Sequence, residues 1–223
     1  MKKEEVKKMN KNGKKLALIV LAVLLVLTIV GGTVAWLTRT DKLTNTFTVG
    51  TFEVPTKDPE GKDITIDSHL YEPSWNSSDE HKLLPGTEYE KDPYVGLGEG
   101  SEDAVVYVYV ENNFSNKVYF ELNAGWEKVE AVDGYLTDTY TSGLFKYTAG
   151  LSGASAGNVW TTAPVFSKII VDESATKVDF EVSSGKNTEI TVSSFIHQVS
   201  DGNGNEIDSN AILAAAKEAF GIQ

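Results

Sequence analysis

Hydrophobic and polar positions after residue 36 alternate in short runs, the pattern of β-strands with one or two buried faces. In the clearest run, residues 104–110 (Ala-Val-Val-Tyr-Val-Tyr-Val), apolar side chains fall on both faces of an extended chain. We therefore predict a central strand that is covered on both sides. Left exposed, such a run without charge or proline would promote aggregation.

Turn-forming residues separate the runs about every ten positions, which favours an all-β sandwich. The predicted strands are residues 45–54, 63–67, 89–95, 104–112, 117–126, 144–148, 165–171, 177–182 and 189–199. Residues 142–158 are rich in Gly, Ser and Ala, so we predict a loop around the short strand 144–148.

One short C-terminal helix is predicted, over residues 211–220, with apolar positions at helical spacing. Asp208 or Asn210 can cap its N-terminus, and Gly221 ends it. We expect this helix to cover the sandwich.

The first 35 residues have the pattern of a signal peptide or membrane anchor. Seven lysines precede an uncharged stretch over residues 16–35, which as a helix would measure about 30 Å, the thickness of the hydrocarbon core. Small residues at Thr33 and Ala35 predict cleavage between Ala35 and Trp36; the alternative is an uncut transmembrane helix. Either way residues 36–223 form one domain that is secreted or displayed on the cell surface.

Charge and cysteine content narrow the class of protein. Residues 1–35 hold seven of the 20 basic and two of the 32 acidic residues, which leaves 13 against 30 and a formal charge of −17 for residues 36–223. Such a surface repels phosphate backbones and makes nucleic acid an unsuitable partner. The chain has no cysteine, which excludes disulfides, thiolate metal sites and thiol catalysis.

Three segments resemble the TasA/camelysin family. The box Gly31-Gly-Thr-Val-Ala35, the run Thr-Phe-Thr-Val-Gly-Thr-Phe-Glu-Val at 46–54 and the turn Leu84-Pro-Gly-Thr87 are similar to family motifs. Residues 190–199 and the terminal helix resemble its closing strand and helix. These are biofilm-matrix fibre proteins of Gram-positive bacteria, exported through a SipW-type signal peptidase.

The resemblance implies a jelly-roll sandwich and a head-to-tail polymer in which the N-terminal strand of one subunit completes the sheet of the next. Partners would be further copies or a paralogous matrix protein. Added edge strands gain main-chain hydrogen bonds and side-chain pockets. Phe47 and Val49 would fill pockets on one face, and a bulge at Gly50 would shift Phe52 and Val54. The alternative is that this segment pairs within its own sheet.

Catalytic patterns are absent from the sequence, and we expect neither enzymatic activity nor a cofactor. His69, His81 and His197 have no metal-binding spacing, which predicts surface or strand-facing histidines. There is also no Gly-x-Ser-x-Gly nucleophile elbow.

A weak calcium candidate lies at Asp201, Asn203 and Asn205, which alternate as oxygen donors. An EF-hand loop needs glycine and a bidentate carboxylate where this chain has Glu206 and Ile212, so the prediction is no metal. The alternative interpretation is a plain Asn-Gly turn.

A cell-surface glycan-binding module is the alternative function. Aromatic side chains could line a carbohydrate platform, although aromatics are commoner in β-sheet cores than in binding grooves. The candidates are Tyr71, Trp75, Trp126, Tyr135, Tyr140 and Trp160.

We expect N-terminal sequencing of the exported protein to begin at Trp36, because a signal peptidase reads the small residues at Thr33 and Ala35. Replacing Ala35 with a bulky residue should block this maturation. An intact 24.3 kDa membrane-retained species in cells that contain the peptidase would contradict the prediction.

Overall fold

The computed structural model describes residues 45–48 (backbone), 52–75, 82–153, 157–182, 188–201 and 203–222. All of them belong to one unit, Thr40–Gln223. The predicted signal segment, with Ala35 and Trp36, therefore lies outside the described residues.

The described chain is mostly β-sheet, followed by one C-terminal α-helix, which confirms the all-β prediction at that level. The strands are β1 (Asn45–Thr48), β2 (Leu70–Tyr71), β3 (Glu88–Glu90), β4 (Tyr94–Leu97), β5 (Ala104–Asn112), β6 (Val118–Glu121), β7 (Trp126–Asp133), β8 (Thr139–Tyr147), β9 (Val159–Trp160), β10 (Lys168–Val171) and β11 (Ile190–Gln198). The helix α1 spans Ser209–Phe220, and a 3-10 turn spans Lys177–Phe180.

Two curled sheets make up the fold. The larger has the strand order β1-β11-β5-β8-β6-β10-β3, with β7 paired to β8, and the smaller has the order β2-β4-β9. The ladders are antiparallel except that between β1 and β11, which is parallel. Strand β8 is shared, since Gly143–Lys146 pairs with β5 while Thr139–Tyr140 pairs with β6.

Strand β5 is central and buried on both faces, as predicted from its sequence. Val106, Val108 and Val110 have no exposed surface and enter the main core, to which β8 and β11 contribute together with β4, β6 and β10. Tyr107, between them, enters a second cluster beneath α1. Alternation along one strand thus fills two cores at once.

Helix α1 begins and ends where its capping residues predict. The Asp208 carboxylate accepts hydrogen bonds from the backbone N–H groups of Asn210 and Ala211, at 2.6 and 3.2 Å. Gly221 ends the helix in the left-handed conformation, φ 68°. Ile212 and Ala216 are buried against the sheet, so the helix covers the outer face of β5, β8 and β11.

Several strand predictions were wrong in extent, including residues 165–171, of which only Lys168–Val171 form a strand. Residues 45–54 form a strand only over Asn45–Thr48, and residues 63–67 contribute an isolated bridge at Asp63. Residues 89–95 divide into β3 and β4 because Pro93 lacks an amide donor. Residues 117–126 divide at a turn in which the Trp126 N–H donates to Asn123, with Gly125 at φ 91°.

One further prediction failed in kind. Residues 177–182 begin with a 3-10 turn, because the Asp179 carboxylate accepts hydrogen bonds from the Thr176 N–H and the Ser115 hydroxyl. The short strand predicted at 144–148 is found within β8, which extends from Thr139 to Tyr147 and so includes the start of the predicted loop. Strand β7 was not predicted at all, since its charged solvent face obscures the alternation.

Candidate functional site

The first candidate site is the edge at which β1 lies against β11. Asn45 pairs with Ser194, Phe47 with Ile196 and Thr48 with His197, in a parallel ladder of four residues. Ile196 is buried in the main core. Strand β1 occupies one end of the strand order, so this ladder closes the β11 edge of the sheet.

A second edge of this sheet, at β7, branches off β8 and is protected against further pairing. Glu127, Lys128, Glu130 and Asp133 are exposed along the strand. Its register with β8 shifts twice, between Lys128 and Glu130 and again before Asp133. Charges and bulges of this kind prevent edge-to-edge association. β1, with the sequence Asn-Thr-Phe-Thr, carries no charge.

After β1 the chain is held within its own subunit. The Glu53 N–H donates to the Ser101 hydroxyl at 2.9 Å, and the Gly98 N–H donates to the Glu53 carbonyl at 2.6 Å. Phe52 packs against the main core. Val54 lies so close to Gly98 that a Cβ atom added to Gly98 would be 2.4 Å from the Val54 carbonyl oxygen.

The four predicted donor-strand residues therefore have different settings. Phe47 lies in β1. Phe52 and Val54 are half-buried and belong to no strand, and Val49 lies outside the described residues. The sequence did not reveal this division, because the change of phase at Gly50 is equally consistent with a bulge inside one continuous strand.

The second candidate site is a cavity of about 330 Å³ near the start of β11. It gathers side chains that are far apart in the sequence, so no local motif predicted it. The lining residues are Trp75, Leu83, Tyr89, Lys91, Phe114, Ile169, Thr188, Glu189 and Ile190.

A buried ion pair fixes one wall of this cavity. Lys91 is only 6% exposed, and its Nζ lies 2.8 Å from both carboxylate oxygens of Glu72. The same ammonium lies 4.5 Å from the centre of the Trp75 ring. Neighbouring Asp92 binds the backbone N–H and hydroxyl of Ser74, at 2.8 and 2.9 Å, and so anchors the loop that carries Trp75.

The aromatic residues proposed as a carbohydrate platform are distributed over the domain. Trp126 is buried, with its indole N–H donating to the Ala163 carbonyl at 3.1 Å. Tyr140 packs on Phe120 and Phe145 in the core, whereas Tyr135 is 48% exposed. Tyr71 and Trp160 lie 5.9 Å apart on the smaller sheet. Trp75 alone of the six lines the cavity.

The calcium candidate forms a turn that satisfies its own carboxylate. Asp201 accepts hydrogen bonds from the backbone N–H groups of Asn203 and Asn205, at 2.8 and 2.9 Å, and from the Asn205 amide at 2.9 Å. These hydrogen bonds lower the pKa of Asp201, and the bond from the Asn205 side chain has the largest effect. Within the described ranges, no three His, Cys, Asp or Glu side chains are grouped to hold a metal.

The histidine prediction fails for His69, which is fully buried just before β2. Its Nδ1 donates to the Gly96 carbonyl at 2.8 Å. Burial is the main influence and lowers the pKa of His69, against the opposing effects of Gly96 and Glu53. His197 is half-buried in β11, as a strand residue, and His81 lies outside the described residues.

No family model, curated protein or solved structure matches this chain. Function is therefore inferred from its residues and their contacts. Over the ranges that the structure covers, no helix has both the length and the apolarity to cross a membrane.

We expect the free energy of unfolding to fall as the pH drops from 7 to 5. The unfolded chain gains a proton at His69 below its ordinary pKa of 6.5, whereas burial lowers the pKa of the folded form, which takes up its proton only at a lower pH. For one proton the slope is at most about 1.4 kcal/mol per pH unit. Urea unfolding at several pH values measures it.

The control is His69→Asn, whose amide can donate to Gly96 in place of Nδ1 but does not titrate. This variant should lose the slope, and an unchanged slope would contradict the assignment. Hydrogen bonds also lower the pKa values of four aspartates: Asp63, Asp172, Asp179 and Asp201. These groups change the free energy of unfolding mainly below their ordinary pKa of 3.8, which lies outside the range from pH 7 to 5.

Proposed function

We propose that this chain is an exported structural protein of the extracellular matrix, which forms fibres when the N-terminal strand of one subunit completes the sheet of the next. The observation that carries the proposal is the position of β1, a four-residue parallel strand at the end of an otherwise antiparallel sheet. The curled antiparallel sheets around the main core support a jelly-roll arrangement.

Exchange of β1 between copies conserves its contacts. A strand that leaves its own β11 and pairs with β11 of a neighbour makes the same main-chain hydrogen bonds in the same register. The closed monomer and the strand-exchanged polymer therefore differ mainly in how β1 is connected to the rest of its subunit and in translational entropy. A short ladder of four residues is also easier to open than the nine-residue ladder between β11 and β5.

The edges of the sheet give such a polymer a direction. The β7 edge is blocked by charges and register shifts, and the β3 edge carries the exposed Glu88 and Glu90. The β11 edge, in contrast, accepts an uncharged strand. Phe52 and Glu53 hold the chain to its own subunit, so the exchanged segment ends before Phe52.

The sequence supports export of this domain. The lysine-rich, then uncharged N-terminal segment directs residues 36–223 outside the cell, where a cysteine-free acidic domain remains soluble. Cleavage by a SipW-type signal peptidase would free the chain ahead of β1. Further copies, or a paralogous matrix protein, would supply the acceptor edge.

An engineered disulfide distinguishes exchange from closure within one subunit. The chain has no native cysteine, and paired strand positions lie about 5 Å apart, within disulfide range. In assembled protein that carries Thr48→Cys and His197→Cys, we expect disulfide-linked oligomers on a non-reducing gel, because these positions are partners in the β1–β11 ladder.

The matched control combines His197→Cys with Val105→Cys, the partner of residue 197 across the β5–β11 ladder. This pair lies inside one subunit and should give monomers only. If the Thr48 variant also gives only cross-linked monomers, or if no assembly forms, strand exchange is wrong.

A further inference from the structure

The cavity near the start of β11 combines aromatic surfaces with fixed polar groups. Trp75, Tyr89 and Phe114 supply rings, and Leu83, Ile169 and Ile190 complete the apolar wall. Thr188 and Glu189 are exposed, while Lys91 is buried. Its volume of about 330 Å³ lies at the small end of the range for ligand sites.

The buried ion pair limits the charge of a ligand. Because Glu72 neutralises Lys91 at 2.8 Å, a free anion finds no uncompensated positive charge there. Glu72 is not among the lining residues, and the Lys91 ammonium is already bonded to it. The polar partners for a ligand are therefore Thr188 and Glu189, which line the cavity and are exposed. A threonine hydroxyl donates and accepts and a carboxylate accepts, so both can form hydrogen bonds with neutral hydroxyl groups.

Aromatic rings provide the complementary part of the site. The weakly positive C–H groups of a sugar ring pack on the negative face of an aromatic ring, while its hydroxyl groups need polar partners at the rim. Trp75 is held in place by its contact with Lys91 and by the neighbouring bonds of Ser74 to Asp92. A held aromatic ring loses little entropy on binding.

We propose that this cavity binds one pyranose ring of a neutral polysaccharide. The site is independent of the β1–β11 edge, so a matrix protein could hold glycan while its strands join subunits. It also differs from a platform made of all six aromatic candidates, because only Trp75 among them takes part.

The test is calorimetric titration of the full chain with cellotriose, chitotriose and maltotriose, in a detergent without a sugar headgroup. We expect saturable binding of at least one trisaccharide with a dissociation constant of about 1 mM. Trp75→Ala should weaken it about tenfold, because a stacked ring is lost. Trp75→Phe should retain part of the affinity.

Tyr135→Ala is the matched control, since it removes an exposed aromatic residue that does not line the cavity. It should bind like the parent, and urea unfolding should show that all variants are folded. Three results would overturn the proposal: no binding of any trisaccharide, equal binding by Trp75→Ala, or loss of binding in Tyr135→Ala. Fibre formation is scored separately and does not affect this result.

Discussion

Burial of β5 on both faces is the constraint on which the rest of the fold depends. Each fully buried valine contributes about 1.5–3 kcal/mol, and Val106, Val108 and Val110 supply three to the main core. The opposite face needs its own cover, which α1 provides by burying Ile212 and Ala216 over the sheet. A strand that needs both covers must be central, so β11 and β8 pair on either side of it.

This arrangement determines where the sheet can grow. With β5 central, the unpaired main-chain groups of the sheet fall at its margins: β1 next to β11, β3 next to β10, and β7 next to β8. Strands β7 and β3 carry exposed charged residues, whereas β1 is uncharged. The asymmetry favours addition at one edge, and it is the physical basis of the proposed polymer.

The elements that sequence predicted well are those with strong local signals. Residues 104–112 and 189–199 alternate cleanly, and Asp208 and Gly221 bracket the helix. Strand β7 could not be found because edge strands need little apolar surface. The cavity was missed because its lining residues Lys91, Phe114 and Ile190 meet only through tertiary structure. Trp75 was singled out, but its partners were not.

The most direct measurement of the central claim is fibre length, by electron microscopy, for Phe47→Asp and for Val132→Asp, which places the new charge on β7 instead. Phe47 pairs with Ile196 of the buried core, whereas Val132 is 61% exposed on an edge that the proposed polymer does not use. A desolvated charge at position 47 costs several kcal/mol. We expect a folded Phe47→Asp monomer without fibres, and normal fibres from Val132→Asp. Normal fibres from Phe47→Asp, or a Phe47→Asp monomer that unfolds, would contradict this expectation.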